Sequence, residues 1–318
     1  MIYSFAPMEG VTSYIYRRIH ARMFPGVDVY YAPFIAPDGN GNYKISSFRD
    51  TLPENNPGLT LVPQLLCSSA APFISVAKEF QALGYEEINL NVGCPSGTVV
   101  SKHKGSGMLR DLAALDGILA DIFAACPIRV SVKTRMGFAD TAEFPAIAEI
   151  YRKYPISRLI VHSRDRAGMY KSRPDVDGFA SELRSFPFPV EYNGDVFSPA
   201  AAQAVLARCT EVSGLMIGRG AVANPALFRM LRGGKALERE ELQSFHDALL
   251  EEFLASGLPP VHAMARLKEL WFYMQHVFPG ESKAVKAVFK SKTLPDYRSA
   301  VAFLFSSCAF DGNSFFSA

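Results

Sequence analysis

Short apolar runs, many ending in a polar residue and followed by a segment of helical period, recur eight times in the first part of this chain. Strands are expected near residues 3–7, 27–33, 60–65, 87–91, 129–134, 158–162, 189–192 and 214–217. Runs such as Leu61-Val62-Pro63-Gln64-Leu65 and Leu159-Ile160-Val161-His162 are apolar on both faces until their last positions. That is the pattern of a parallel strand buried on both sides with a functional group at its C-terminal end. Between the runs lie helices with visible caps: Ser69 and Pro72 open one that stops at Gly84, and Ser198-Pro199 opens another. Eight such units in about 230 residues match a (β/α)₈ TIM barrel. An open doubly wound sheet is the lesser alternative, because no GxGxxG follows the first strand.

After about residue 231 the pattern changes. Gly233-Gly234 reads as a linker, and the remainder shows no strand-like alternation. Residues 238–256, 261–277, 282–291 and 296–307 read as helices separated by Pro259-Pro260, Pro279-Gly280 and Pro295. The expected organisation is a barrel over 1–232 and a small C-terminal all-helical domain over 236–318.

Residues at the C-terminal ends of barrel strands converge on one face, and in barrel enzymes that face holds the active site. Here the set is Met8, Gln64, Asn91, Cys94, Lys133, His162, Asn193 and Arg219. Any one of them alone reads as an ordinary satisfied polar residue; eight in register are hard to explain by packing. Glycines in Asn193-Gly194-Asp195 and Gly218-Arg219-Gly220 end strands seven and eight, where barrels commonly bind a phosphate. Lys133 ends an apolar strand, where an ammonium needs an anion or a delocalised negative charge. A reduced flavin fits that requirement, and a Schiff-base lysine would look the same. Cys94 lies in the Gly/Pro loop Asn91-Val92-Gly93-Cys94-Pro95. A thiol of ordinary pKa, about 8.5, is mostly protonated at neutral pH and suits a general acid.

Charge is informative only in its distribution, since the whole chain carries a formal +2. Lys102 and Lys104 lie in one basic loop, and Arg164, Arg166, Lys171 and Arg173 in another after strand six. Between His262 and Arg298 there are seven Lys/Arg against three acids, with Lys283, Lys286 and Lys290 on one helical face. Basic loops at a mouth favour a polyanionic substrate; a merely solvated face is the bland alternative. The five cysteines, Cys67, Cys94, Cys126, Cys209 and Cys308, show no metal spacing. They read as reduced thiols of a cytoplasmic protein. No apolar run reaches the roughly 20 residues of a membrane span.

Ala6-Pro7-Met8-Glu9-Gly10-Val11-Thr12, Asn91-Val92-Gly93-Cys94-Pro95, Val132-Lys133, His162-Ser163-Arg164, Asn193-Gly194-Asp195 and Met216-Ile217-Gly218-Arg219-Gly220-Ala221 resemble, in order and spacing, the tRNA-dihydrouridine synthases. The likeness covers the barrel, and the helical tail fits that family's RNA-binding domain in size and place. The resemblance implies bound FMN and NADPH as reductant, with reduction of the C5–C6 bond of particular uridines in tRNA. It implies that Pro7, Met8 and Glu9 line the flavin, that Gln64 and Lys133 hydrogen-bond its ring, and that His162 lies near. Asn193, Gly194, Asp195, Gly218 and Arg219 would hold its phosphate end. Asn91 would orient the uracil and Cys94 would protonate C5, while Lys102, Lys104, Arg164, Arg166, Lys283, Lys286 and Lys290 would contact tRNA. A monomer without metal is implied.

Ser13 stands where many members have Asp, and Ser163 and Asp165 where Gly and Thr are usual. Ala223-Asn224-Pro225-Ala226 lacks the common Gly and Trp. These departures surround the matched positions and bear on subfamily and target uridine. A small-molecule FMN ene-reductase of dihydroorotate dehydrogenase type shares the Asn…Cys-Pro element but needs neither the basic loop nor the basic tail. A non-catalytic tRNA-binding scaffold would have no use for Lys133, His162 and Cys94 together.

Overall fold

All eight segments expected as strands are strands: β1 (Ile2–Phe5), β2 (Val29–Tyr31), β3 (Leu61–Val62 and Gln64–Leu65), β4 (Glu87–Val92), β5 (Arg129–Gly137), β6 (Leu159–Asp165), β7 (Val190–Asn193) and β8 (Gly214–Ile217). The computed structural model describes residues 1–316. Every strand pair for which a register is defined is parallel, and β1 lies between β2 and β8.

The sheet closes through β3. Its first half pairs with β2 (Tyr30↔Leu61, Tyr31↔Val62) and its second half with β4 (Gln64↔Asn89, Leu65↔Leu90). Pro63, at the change-over, has no N–H to donate, but its carbonyl accepts from Asn89 N–H at 2.9 Å while the Val62 carbonyl accepts from Ala32 N–H at 3.1 Å. The ladder is therefore continuous across the proline, and the chain forms the expected (β/α)₈ barrel. Ala6, Tyr31, Val62, Ile160 and Met216 make one buried cluster contributed by five strands or their ends, in keeping with layered side-chain filling of a barrel.

At the N-terminal end of β7, Glu191 is fully buried and ion-paired with Arg158, and Ser4 Oγ donates to it at 3.1 Å. Burial pushes the Glu191 carboxyl up, against the pull of Arg158.

Two compact units divide the chain. One comprises Met1–Pro7, Asp28–Gly194 and Gln203–Met216; the other comprises Met8–Val27, Asp195–Ala202 and the residues from Ile217 onward. The second unit holds the helices Arg239–Ala255, Pro260–Met274, Ser282–Lys290 and Leu294–Ser307, each within two residues of its expected start. It also takes in Tyr14–Met23 from the beginning of the chain, so the partition is not a single cut near residue 232. The reason is packing: Tyr16 meets Phe245 edge-on at 5.5 Å, and Arg18 pairs with Glu252 at 2.5 Å. Tyr297 ties three of the helices together, accepting from Trp271 Nε1 at 2.9 Å and hydrogen-bonding His246 Nε2 at 2.8 Å. Among the described residues no helix is long and apolar enough to cross a membrane.

Removing one partner of a buried ion pair strands the other charge, whereas removing both can be nearly neutral. Arg158→Leu should therefore cost about 3–5 kcal/mol in chemical denaturation. Arg158→Leu combined with Glu191→Leu should recover most of that loss; additive losses would show that the pair is not coupled.

Candidate active site at the C-terminal ends of the barrel strands

A ladder of side-chain amides and one hydroxyl crosses β3, β4 and β5. Gln64 Nε2 donates to Asn89 Oδ1 at 2.8 Å, Asn89 Nδ2 to Ser131 Oγ at 2.9 Å, and Asn91 Nδ2 to Gln64 Oε1 at 2.8 Å. Gln64, Asn89 and Ser131 are fully buried. Strand alternation puts Asn89 and Asn91 on one face, and the register sets Asn91 beside Lys133. A buried polar network is tolerated only when its members satisfy one another.

The ladder ends on Cys94. Asn91 Oδ1 accepts from Gly93 N–H at 3.0 Å and Cys94 N–H at 2.9 Å. The Cys94 carbonyl accepts from Ser106 N–H at 3.1 Å and Ser106 Oγ at 2.8 Å. Both backbone groups of the cysteine are thus held, one by the strand end and one by the loop that follows. Gly105, with φ of +57°, makes this possible: a Cβ there would lie 2.8 Å from the Cys94 carbonyl oxygen and 3.0 Å from Cys94 Cβ. The thiol is half-buried, and none of the five cysteines is disulfide-bonded.

Lys133 Nζ donates to Asn193 Oδ1 at 3.0 Å, and Asn193 Nδ2 donates to the Met216 carbonyl at 2.8 Å. Among the described residues the lysine therefore meets a neutral oxygen and no carboxylate. Burial, and secondarily the charge of Arg135, push its ammonium down to about 7, with Cys94 acting in the opposite sense. Gly194 follows Asn193; a Cβ there would lie 2.8 Å from both Ser163 Oγ and Tyr192 Oη, so the strand end stays narrow.

His162, on β6, is paired in register with Asn193 on one side and Arg135 on the other. Arg164 Nη1 lies 3.1 Å from His162 Nε2. A guanidinium only donates, so Nε2 accepts and the imidazole is neutral with its hydrogen on Nδ1. Arg135 is 1 % exposed and spans two loops, donating through Nε to the Gly93 carbonyl at 2.9 Å and through Nη1 to the Asp165 and Met169 carbonyls at 2.8 and 3.1 Å. Among the described residues, the non-glycine positions with positive φ are His103 (54°) and Met169 (50°), one in each basic loop. Such backbone persists where surrounding contacts over-determine it.

In the second unit, the opening motif is a tight turn. The Met8 carbonyl accepts from Val11 and Thr12 N–H, both at 3.0 Å, and Met8 N–H donates to Thr12 Oγ1 at 2.9 Å. Arg266 Nη1 donates to the Gly10 carbonyl at 2.6 Å, pinning the turn. Glu9 is exposed. Arg219 pairs with Asp195 at 2.6 Å and lies over the rings of Phe197 and Phe316, at 5.3 and 5.8 Å. Gly218 precedes the Arg219–Ala223 turn of helix, and a Cβ at Gly220 would sit 2.3 Å from the Val196 carbonyl oxygen. On the Ser282–Lys290 helix, Ala284, Val285 and Val288 are buried while Lys283, Lys286 and Lys290 are exposed and in no ion pair among the described residues. Lys283 sits in the first turn, where the helix dipole disfavours a cation.

The family model for dihydrouridine synthase (Dus) matches residues 4–294. The chain belongs to the dihydrouridine synthase family. It is 34 % identical over 257 residues to tRNA-dihydrouridine synthase B of Pseudomonas putida, covering 79 % of this chain and 74 % of that protein. It is 29 % identical over 284 residues to tRNA-dihydrouridine synthase B of Vibrio cholerae, covering 85 % of this chain and 86 % of that one. Among solved structures, morphinone reductase aligns with a TM-score of 0.53 at 13 % identity, over 77 % of this chain and 88 % of its own. The old yellow enzyme from Trypanosoma cruzi aligns with a TM-score of 0.51 at 10 % identity, over 76 % and 91 %. Both likenesses concern the barrel fold.

For this member of the dihydrouridine synthase family, the structure sorts the expected site residues. Gln64, Asn91 and Asn193 sit at or next to the ends of β3, β4 and β7, and Cys94 just past β4. Lys133 and His162 instead lie mid-strand, because β5 and β6 run on to Gly137 and Asp165; register sets Lys133 beside Asn91 and His162 beside Asn193. Asn91, expected to orient a uracil, has its side-chain oxygen committed to the Cys94 loop, with one amide hydrogen left over. Arg164, expected at the RNA-facing rim, is 1 % exposed and donates inward to His162 and, at 2.7 Å, to the Ser172 carbonyl. Lys104 donates to the Pro37 carbonyl at 2.7 Å, whereas Lys102 is exposed. Sequence reasoning missed Asn89, Ser106 and Arg135. The first and third could have been found as polar residues two positions before Asn91 and two after Lys133 on the same strand faces. Ser106 could not, since a loop residue has no periodicity to mark it.

An unfolded lysine titrates near 10.4, well above the folded value of about 7 for Lys133. Between those values the unfolded chain holds a proton that the folded chain lacks, so this site's contribution to stability rises with pH. The stability of the ligand-free protein relative to Lys133→Met should therefore increase between about pH 7 and pH 9 in denaturant titrations. A difference that does not change with pH would show Lys133 to titrate normally.

Proposed function

We propose that this enzyme reduces the C5–C6 double bond of uridines in tRNA to 5,6-dihydrouridine, with FMN as the bound cofactor, NADPH as the reductant and Cys94 as the proton donor. The observation that carries the reading is the grip on Cys94: a thiol whose backbone N–H and C=O are both held, two residues beyond the end of β4. Fixing an acid to within a fraction of an ångström is what general acid catalysis requires of its scaffold.

The residues present fit a flavin. Lys133 is a half-buried ammonium whose hydrogen-bond partner is a neutral amide oxygen, the arrangement of a cation kept for an anionic or strongly polar acceptor. Gln64 and Lys133 would hold the ring, with Pro7, Met8, Glu9 and His162 beside it. Asn193, Gly194, Asp195, Gly218 and Arg219 would serve the phosphate end, the Asp195 carboxylate orienting the Arg219 guanidinium. When bound, FMN supplies a hydride to C6 of the base and is restored by NADPH. The Cys94 thiol gives its proton to C5 of the same base and is reprotonated by solvent, so hydride and proton together account for both added hydrogens. Asn91 and Ser106 hold the thiol's backbone, and the second amide hydrogen of Asn91 remains for a base carbonyl.

A base buried in folded RNA must be extracted to reach a barrel mouth, at a cost of a few kcal/mol offset by backbone contacts. The exposed Lys283, Lys286 and Lys290, with Lys102 and Arg166, would supply such contacts. Arg164 and Lys104, turned toward protein carbonyls, would shape the loops instead.

Nucleoside mass spectrometry of dihydrouridine-free cellular tRNA, incubated with the enzyme and NADPH, should reveal dihydrouridine. Cys94→Ala should keep the yellow flavin and NADPH oxidation yet lose about 10²–10⁴-fold in turnover on tRNA, the range of a general acid. Loss of flavin instead would make the cysteine structural. Lys283→Glu, Lys286→Glu and Lys290→Glu together should weaken tRNA binding and flatten its salt dependence; unchanged affinity would return that helix face to plain solvation.

A further inference from the structure

Arg135 on β5, Arg164 on β6, Arg166 just after β6 and Arg110, which ends the turn Gly105–Arg110 after β4, are used by the structure in two ways. Arg135 and Arg164 are buried, and their hydrogen bonds run inward to backbone carbonyls and to His162. Arg110 and Arg166 do something else. The Arg110 guanidinium lies 4.3 Å from the centroid of the Phe138 ring, and that of Arg166 lies 5.4 Å from the same centroid. The two cations are therefore within about 10 Å of each other on one aromatic platform, close enough to be fixed by it.

The chain holds this platform in place. Arg166 N–H donates to the Gly137 carbonyl at 2.9 Å, and Ala167 N–H to the Phe138 carbonyl at 3.1 Å, so the segments after β5 and β6 run side by side. Glu143 accepts from the backbone N–H of Phe138, Ala139 and Asp140 at 2.7, 3.0 and 3.1 Å. The other acids nearby along the chain are likewise engaged by backbone or hydroxyl donors. Asp111 accepts from Ala114 N–H, Asp140 from Ala142 N–H, Asp165 from Gly168 N–H, and Asp175 from Gly178 N–H and the Thr141 hydroxyl. Among the described residues neither Arg110 nor Arg166 forms an ion pair. Arg166 Nε is moreover a buried donor with no hydrogen-bond partner among the described residues. Leaving such a group unsatisfied is costly.

Two like charges placed on one ring, with no ion pair to either among the described residues, oppose the folded state unless an anion joins them. Guanidinium forks match phosphate geometry bidentately, and prior fixing of the side chains removes part of the entropy cost of binding.

We infer that Arg110 and Arg166, mounted on Phe138, form a preorganised phosphate clamp. This rests on the proposed reaction, whose two phosphate-bearing participants are the RNA backbone and the nicotinamide dinucleotide. A phosphodiester of the RNA would be held to position the strand from which the base is extracted; a phosphate of the dinucleotide would be held during reduction of the flavin.

The test uses the full-length holoenzyme carrying Arg110→Gln and Arg166→Gln. Its readouts are anisotropy of end-labelled tRNA over a salt series, and the NADPH dependence of flavin bleaching without RNA. An RNA clamp predicts at least tenfold weaker tRNA binding and a salt slope reduced by about one to two units, with the NADPH dependence retained. A dinucleotide clamp predicts at least a tenfold rise in the NADPH concentration needed for half-maximal bleaching, with tRNA affinity retained. If neither quantity moves, the clamp is overturned. Phe138→Leu keeps both charges and loses the platform, so it should show a smaller loss in the same readout; wild-type behaviour there would overturn the preorganisation. Wild-type enzyme that binds phosphate through these residues but forms no dihydrouridine would leave the clamp standing and remove the proposed reaction.

Discussion

The candidate site depends on closure of a parallel sheet. A parallel strand that ends at the edge of a sheet would leave backbone groups unpaired, and here β3 removes both edges by pairing with β2 and then β4 across Pro63. Once the strands are parallel and closed, their C-terminal ends fall on one rim. Each strand can then be apolar through most of its length and carry one or two polar residues at its end without stranding them, because the next strand's end supplies a partner. The amide ladder from Ser131 through Asn89 and Gln64 to Asn91 shows neighbouring strands supplying partners in the same way part-way along their length.

Along this rim, positioning and chemistry fall to different residues. Cys94 has reactive atoms but no means of fixing itself in a Gly/Pro loop. Asn91 and Ser106 hold its backbone from opposite sides, and Arg135 holds the Gly93 carbonyl next to it. The same guanidinium also reaches the carbonyls of Asp165 and Met169, so one buried side chain couples the loops after β4 and β6. Its charge contributes to keeping Lys133 easily deprotonated until an acceptor arrives. Arg135 thus shapes the site both mechanically and electrostatically.

Much of this was legible in the residues themselves. Strand positions followed from near-continuous apolar runs, and the C-terminal helices from their proline and glycine boundaries. Gln64, Asn91, Lys133, His162 and Asn193 stood out because each is a polar residue closing an apolar run. What was illegible were directions. Arg164 and Arg166 are two residues apart in one basic stretch and look interchangeable in the sequence, yet one, still on β6, turns inward to His162 and the other, just past it, lies on Phe138. Lys102 and Lys104 divide in the same manner.

By itself, the sequence determined the barrel, the order of its strands and the family, because periodicity and motif spacing are local properties that survive as a one-dimensional pattern. Tertiary structure alone decided which polar residue meets which. Ser106 reaches Cys94 across twelve positions, Lys133 reaches Asn193 across sixty, and Tyr14–Met23 packs beside Arg239–Ala255. Such pairings depend on side-chain direction and on the closing of long loops, and neither leaves a periodic trace in the chain.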